Sequence, residues 1–483
     1  MRKRNLFLTF VLMLMFVPTL VGAESELRYK EVLKTDFDGT DLSGFALNTI
    51  KLDDGYVSAI SLIGKSKASE IVKYNADGVV WQTDSFKSSN SDVFETSNGN
   101  ILMTIEEGVL VFDSKGNKIK EVEFENTLGF PGGRSVFAFG DNYAIVGLRN
   151  KYGTDATSYI VITIVDEDGN VLDWKEFELK ADTSSGSTVV GSYFGACGDG
   201  ENLYLLVNQE GNISVVIFDQ DLEYEEKVLD VSDVSEEGIS KIKTGAFSTF
   251  ALDGNDLYFS TQYGIFKVTD YKKLEEKVVA SESSISGLDF TSLVIKDDYF
   301  IAGGLSTGDD NNTIATLVIY DKDFNVVEQI SVNDSFSNTD ETGLNLVKGL
   351  TLDGDNLIVG GMFNESPFVI VYQFYYNITV KTDGNGVVTA SHVTSESGGV
   401  VEFVVEPMEG YALKRVIVTT SEGEVIEFSD YKFTMPSADV EIYAEFEKVV
   451  NPNTGINSPF VICGIVAFVG GFGIYLIKKK KYI

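Results

Sequence analysis

A unit of about fifty residues recurs along most of the chain, and this period restricts the fold more than any other feature. In each unit a strand ending in an aromatic or β-branched residue runs into a short acidic turn and a second strand: "VKYNADGVVW", "VFDSKGNKIKEV", "IVDEDGNVLDW", "IFDQDLEYEEKV", "KVTDYKKLEEKV" and "IYDKDFNVVEQI". The anchors Tyr74, Phe112, Val165, Phe218, Val268 and Tyr320 lie 38, 53, 53, 50 and 52 residues apart. A second series precedes them, in which an Asp/Gly/Asn turn opens an apolar strand, as in "LDDGYVSAISL", "GDNYAIVGL" and "GDNLIVGG"; it occurs seven times. After its last member, "FVIVYQF" puts Tyr372 another 52 residues beyond Tyr320. Four short strands per copy and seven copies predict an all-β fold, a seven-bladed β-propeller over residues 24–375. Stacked immunoglobulin-like sandwiches would need units of roughly 100 residues.

The seventh copy lacks the acidic turn and the final strand. At the other end "RYKEVLKTDF", Arg28 to Phe37, reads like the outer strands "EYEEKVLDV" and "LEEKVV". If it completes the last copy, the two ends of the repeat region pair and no open edge is left to recruit another chain. The Asp-Gly turns fit, because these residues tolerate positive φ and bond their own backbone.

The segments "YNADGVVW" and "YDKDFNVVEQI" resemble the strand-turn-strand of bacterial pyrroloquinoline-type and related surface propeller repeats, over Leu27 to about Phe374. The resemblance implies architecture and no chemistry. Quinoprotein repeats carry a tryptophan in nearly every blade, whereas this body has only Trp81 and Trp174, so no cofactor is expected.

From Tyr376 the pattern changes. Alternation in "VVEFVVEP", "KRVIVTT" and "VEIYAEFE" predicts a small all-β domain over 376–449. Glu409, Gly410, Tyr411, Leu413 and the run Phe433-Thr434-Met435-Pro436 resemble the divergent internalin-type B repeat. That resemblance implies a stalk or adhesive module close to the envelope, usual in extracellular proteins of Gram-positive-like bacteria.

The chain ends read as export and retention signals. Arg2, Lys3 and Arg4 precede an apolar run and the small-residue site Val21-Gly22-Ala23, which predicts a signal peptide over 1–23 cleaved after Ala23. No cysteine follows that site, so no lipid anchor is expected. Phe460 to Ile477 is eighteen residues without a charge, inside a predicted transmembrane helix at 459–477. Lys478 to Lys481, in the tail 478–483, keep the C-terminus cytoplasmic and the body outside. The linker 450–458 holds Asn451-Pro452-Asn453-Thr454-Gly455, which resembles a sortase sorting signal of the LPXTG type with asparagine in place of leucine. The resemblance implies a sortase as processing partner, cleavage between Thr454 and Gly455, and attachment to the cell wall. The alternative is a retained single-pass helix.

Composition excludes several functions. The formal charge is −35, and the basic residues of both termini make the body more acidic still, so nucleic acid is not an expected partner. The one histidine, His392, sits in the small domain, so the propeller has no histidine-based triad or histidine-rich metal site, and no metal is expected. Cys197 reads as a buried small thiol and His392 as an exposed strand residue. The acidic turn Asp166, Asp168, Asn170 lacks the closing glutamate of a calcium loop and reads as an ordinary turn. Arg28, Arg134, Arg149 and Arg415 do not supply the arginine triad of a sialidase. Long connections on one face carry Phe130, Arg134, Tyr152, Tyr193 and Phe194, the candidate ligand face. The expected function is non-enzymatic binding of a host or environmental polymer at the cell surface. The alternatives are an extracellular glycan hydrolase or lyase using carboxylates on that face, and a structural surface component.

Overall fold

The computed structural model describes residues 27–449 apart from 38–41, 65–67, 89–90, 107, 125–130, 152–156, 182–191, 211, 230–246, 262–263, 270–277, 282–287, 309–311 and 337–342. Strand residues Arg134 and Phe194 are described in their backbone alone. The expected signal peptide with Ala23, the expected sorting motif with Thr454 and Gly455, and the expected span 459–477 lie outside the described residues. Within them no helix is long and apolar enough to cross a membrane.

The chain divides into two units. Among the described residues of the first, seven antiparallel sheets follow one another, each built from consecutive strands except the last. Their first strands are Gly44–Leu52, Val93–Glu95, Pro131–Phe139, Ser192–Gly198, Phe247–Asp253, Leu288–Lys296 and Leu346–Asp353. Each of these lies against the next, and Leu346–Asp353 lies against Gly44–Leu52. The seventh sheet takes its fourth strand from the chain's beginning: Tyr29–Thr35 pairs antiparallel with Ser366–Phe374, Tyr29 opposite Phe374 and Thr35 opposite Val369.

The repeat anchors lie at or near the ends of the third strands, and all are buried: Tyr74, Phe112, Val165, Phe218, Val268, Tyr320 and Tyr372 are at most 5% exposed. An aromatic or branched side chain there fills the space between neighbouring sheets just before the chain turns outward. The acidic turns that follow are self-contained. Asp166 Oδ1 accepts the amide N–H of Asp168 at 3.0 Å and of Asn170 at 2.8 Å, and its Oδ2 accepts Asn170 Nδ2 at 2.7 Å. Asp113 with Asn117 and Asp321 with Asn325 repeat this construction. The Asn325 side-chain bond, backed by amide N–H groups, holds the Asp321 carboxyl below the usual range.

Six of the seven first strands carry a register slip in pairing with their second strand, between Ala46 and Thr49, Gly132 and Ser135, Tyr193 and Gly195, Phe247 and Phe250, Phe290 and Ser292, and Val347 and Gly349. An extra residue bends the strand and sharpens its twist. At the slips the first strands come close: Thr291 Oγ1 donates to the Val347 carbonyl, and a Cβ on Gly349 would stand 1.8 Å from the Leu47 carbonyl oxygen.

In the second unit Tyr376–Thr382 runs parallel to Val440–Lys448, which pairs antiparallel with Tyr411–Thr420. Gly386–Ala390, Val400–Pro407 and Lys432–Thr434 form a further sheet. The alternating "VEIYAEFEK" buries every second residue: Val440, Ile442, Ala444 and Phe446. Phe433 is buried beside Phe403 with ring centroids 6.3 Å apart. His392 is exposed, as expected, but stands between strands, its Nδ1 2.9 Å from Ser391 Oγ.

Two substitutions test the packing of the first strands. Gly349→Ala is expected to lower stability by about 1–3 kcal/mol, since its methyl has no room without shifting the Leu47 backbone. Lys348 sits in the same slip, and burial pushes its amine down with no partner among the described residues to offset the cost. Lys348→Met is expected to raise the melting temperature at neutral pH. Thermal unfolding of both variants beside the parent measures each effect.

Candidate functional site

Among the described residues the outer strand of the second sheet, Lys118–Glu123, pairs only with Gly108–Phe112. The face of this strand that bears Lys120 and Val122 looks toward the third sheet, where Thr157–Val165 pairs with Val171–Leu179. Between them runs a groove of about 570 Å³ lined by Lys120, Glu121, Val122, Glu123, Phe124, Val161, Thr163, Asn170, Val171 and Trp174. Strand alternation sorts the second-sheet wall. Val122 turns into the core cluster that contains Phe124, while Glu121 and Glu123 stay exposed. On the third sheet Trp174 stands opposite Thr163 and is 43% exposed. Lys120 Nζ donates to Asn170 Oδ1 and ties the two sheets together, and Glu121 pairs with Lys118 at 2.8 Å.

The chain's two tryptophans differ in what they touch. Trp81, on the outer strand of the first sheet, donates its indole N–H to the Ser114 carbonyl at 3.3 Å and covers the second sheet's turn; a Cβ on Gly116 would meet the indole at 2.6 Å. Trp174 has no partner for its indole N–H among the described residues. The seam between the third and fourth sheets is filled instead: Phe177 meets Tyr224 edge-on with centroids 5.2 Å apart, and Lys175 lies over the Tyr224 ring.

Of the five residues of the expected ligand face, only Tyr193 is described with its side chain. Phe130 and Tyr152 lie outside the described residues. The backbone of Arg134 and of Phe194 falls within the register slips of Pro131–Phe139 and Ser192–Gly198. Tyr193 pairs opposite Val207 and packs against the core between the third and fourth sheets, where burial pushes its phenol up. Cys197 is buried among Tyr204, Leu206 and Phe259, and burial pushes its thiol up and out of reactive range. Arg149 is engaged by Glu176 at 2.7 Å and Arg415 by Glu445 at 2.6 Å.

One carboxylate near the first strands stands out. Asp92 is partly buried, and burial pushes its carboxyl up to about 6 against the opposing pull of the Val136 amide, the Asn48 side chain and the Val93 amide. Its oxygens accept Asn48 Nδ2 at 2.5 Å, Val93 N at 2.9 Å and Val136 N at 2.9 Å, while Asn48 Oδ1 accepts Thr351 Oγ1 at 2.7 Å. The chain of bonds joins the seventh, first, second and third sheets, so Asp92 holds strands together. Among the described residues no group of three or more His, Cys, Asp or Glu side chains is placed to hold a metal ion.

Comparison with known proteins adds one assignment. Residues 376–450 match the family model of the divergent InlB B-repeat domain. The Gly410 turn and buried Phe433 thus belong to this B-repeat; Tyr411 N–H bonds the Met408 carbonyl at 3.0 Å, and Gly410 has a φ of +84°. No curated protein sequence matches the chain. Among solved structures, the CNH domain of AfRom2 is similar with a TM-score of 0.44 at 8% identity, over 70% of this chain and 98% of that one. The WD40 domain of Neurospora crassa Pan2 has a TM-score of 0.44 at 9% identity, over 72% and 96%. PorZ, a bacterial surface component of the type-IX secretion system of Porphyromonas gingivalis, has a TM-score of 0.41 at 13% identity, over 81% of this chain and 54% of its own.

Asp92 gives a pH prediction. Between about pH 4 and 6 the folded chain keeps a proton on Asp92 that the unfolded chain has released, so this group's contribution to stability falls as pH rises through that window. Asp92→Asn cannot titrate. The stability of the parent relative to this variant is expected to decline from pH 4 to pH 6 and to level off above it, as read by urea unfolding at each pH.

Proposed function

We propose that the chain is an exported cell-surface protein whose first unit is a closed seven-bladed β-propeller acting as a non-enzymatic binding module for a host or environmental polymer. The groove beside Trp174 carries the reading: a cleft of about 570 Å³ between two sheets, onto which a large, 43% exposed aromatic opens. Seven sheets whose first strands neighbour one another in order, with the last completed by Tyr29–Thr35, support the closed ring. The B-repeat supports an extracellular location. A sortase acts on Thr454 and Gly455, and the membrane holds the chain through 459–477 until then.

Retention of the full-length protein on a panel of immobilised polysaccharides and matrix proteins tests the binding role. Retention without release of fragments is the expected result. Release of oligosaccharides would move the reading to a glycan hydrolase or lyase, and retention on nothing would overturn it. Peptide mapping of the mature protein from isolated envelopes is expected to find no peptide containing Cys463; its presence would mean that the helix is kept.

A further inference from the structure

The geometry points to a small oxyanion, a carboxylate or a phosphate, held by Lys348 where the first strands of the sheets meet. This rests on the closed ring proposed above and adds a site distinct from the groove beside Trp174. The register slips fall at one level of the ring, each shortly before its strand ends, as Lys348 before Asp353 and Asn48 before Leu52. On either side of Lys348 the slip residues are spent on neighbouring strands. Asn48, in the first sheet, accepts Thr351 Oγ1 at 2.7 Å and donates to Asp92 Oδ1 at 2.5 Å, and Thr291, in the sixth, donates to the Val347 carbonyl. Lys348 between them is half-buried and has no partner among the described residues. Burial pushes its amine down, and no neighbouring charge pulls it back. An ammonium group withdrawn from water without a counter-charge is costly, and an oxyanion brought in from solution offsets that cost.

The protein's own carboxylate near these slips does not take that place. Asp92 has its oxygens occupied by Asn48 Nδ2 and by the amides of Val93 and Val136, which hold it to the first, second and third sheets. The slip of the third sheet brings a second basic residue, Arg134, to the same level by its backbone position. Two basic positions at the inner strands of a chain with a net charge of −35 run against its overall sign. That contrast selects the size of the ligand. The acidic body repels a long polyanion, whereas a small anion brings in a single charge or two and meets the ammonium directly. A neutral ligand accepts an N–H bond but leaves the charge uncompensated, and a metal cation is repelled.

The experiment follows thermal unfolding and calorimetric binding of the full-length protein with acetate, glucuronate and inorganic phosphate at constant ionic strength, with chloride as the reference salt. At least one oxyanion is expected to raise the parent's melting temperature saturably, as a ligand of the folded state does. A response to acetate or glucuronate makes the ligand a carboxylate, and a response to phosphate alone makes it a phosphate. Lys348→Met is expected to lose the rise and to bind at least tenfold more weakly. Lys348→Gln, which keeps a polar side chain without the charge, is expected to lose it as well. An equal rise in the parent and both variants, or an equal rise in chloride, overturns the site. Carbodiimide coupling of Lys30 to the carboxylate introduced by Gln373→Glu, directly opposite it in the closing ladder, checks the ring separately. Coupling without any response to an oxyanion overturns the site alone, and absence of coupling overturns the ring and the site with it.

Discussion

The pairing of Tyr29–Thr35 with Ser366–Phe374 is the contact on which the rest of the first unit depends. It turns Ser366–Phe374 from an open edge into an interior strand and brings Tyr29 against the rings of Tyr372 and Phe374, at 5.4 and 6.4 Å. The same sheet lies through Leu346–Asp353 against the first one, where Asn48 links Thr351 to Asp92. The two ends of the repeat region are thus held twice, by a strand ladder on the outside and by side-chain bonds among the first strands.

The seams between sheets are sealed by different means. Phe177 and Tyr224 close one seam with aromatic contact, and Trp81 closes another by covering a glycine turn. Between the second and third sheets the polar bond from Lys120 to Asn170 holds the walls together and leaves a cleft beneath an exposed indole. The two sheets pack along their inner strands through Leu102, Val109, Val111, Val136, Tyr143, Ile145 and Val165, and the cleft opens at their outer strands.

Much of this was legible in the sequence because the repeat states its own chemistry. An aromatic or branched anchor before an acidic turn is a core position followed by a self-bonded loop, and all seven anchors are buried. The resemblance of "RYKEVLKTDF" to the outer strands foretold its pairing in the last sheet. The alternation in "VEIYAEFE" foretold a half-buried strand. The register slips were not legible, since an extra residue in a strand shows only against its partner. The groove was hidden for the same reason. A slip between Ile164 and Val165 decides which way Trp174 faces, and nothing in "NVLDWKEFEL" says that its neighbour leaves the indole uncovered. The long connection "KADTSSGSTVVGSYF" suggests a loop for Tyr193, yet strand pairing with Val207 packs it against the core.

Closure by the first strand also sets an order of events. Tyr29–Thr35 leaves the ribosome before any of the sheets, but its partner is made last, so the final pairing spans nearly the whole first unit and is the slowest kind of contact to form. Until then the strand has no ladder. Lys30, Glu31 and Lys34 remain exposed even in the finished sheet. The same charges keep the waiting strand in water and unattractive to other chains while the later sheets are built.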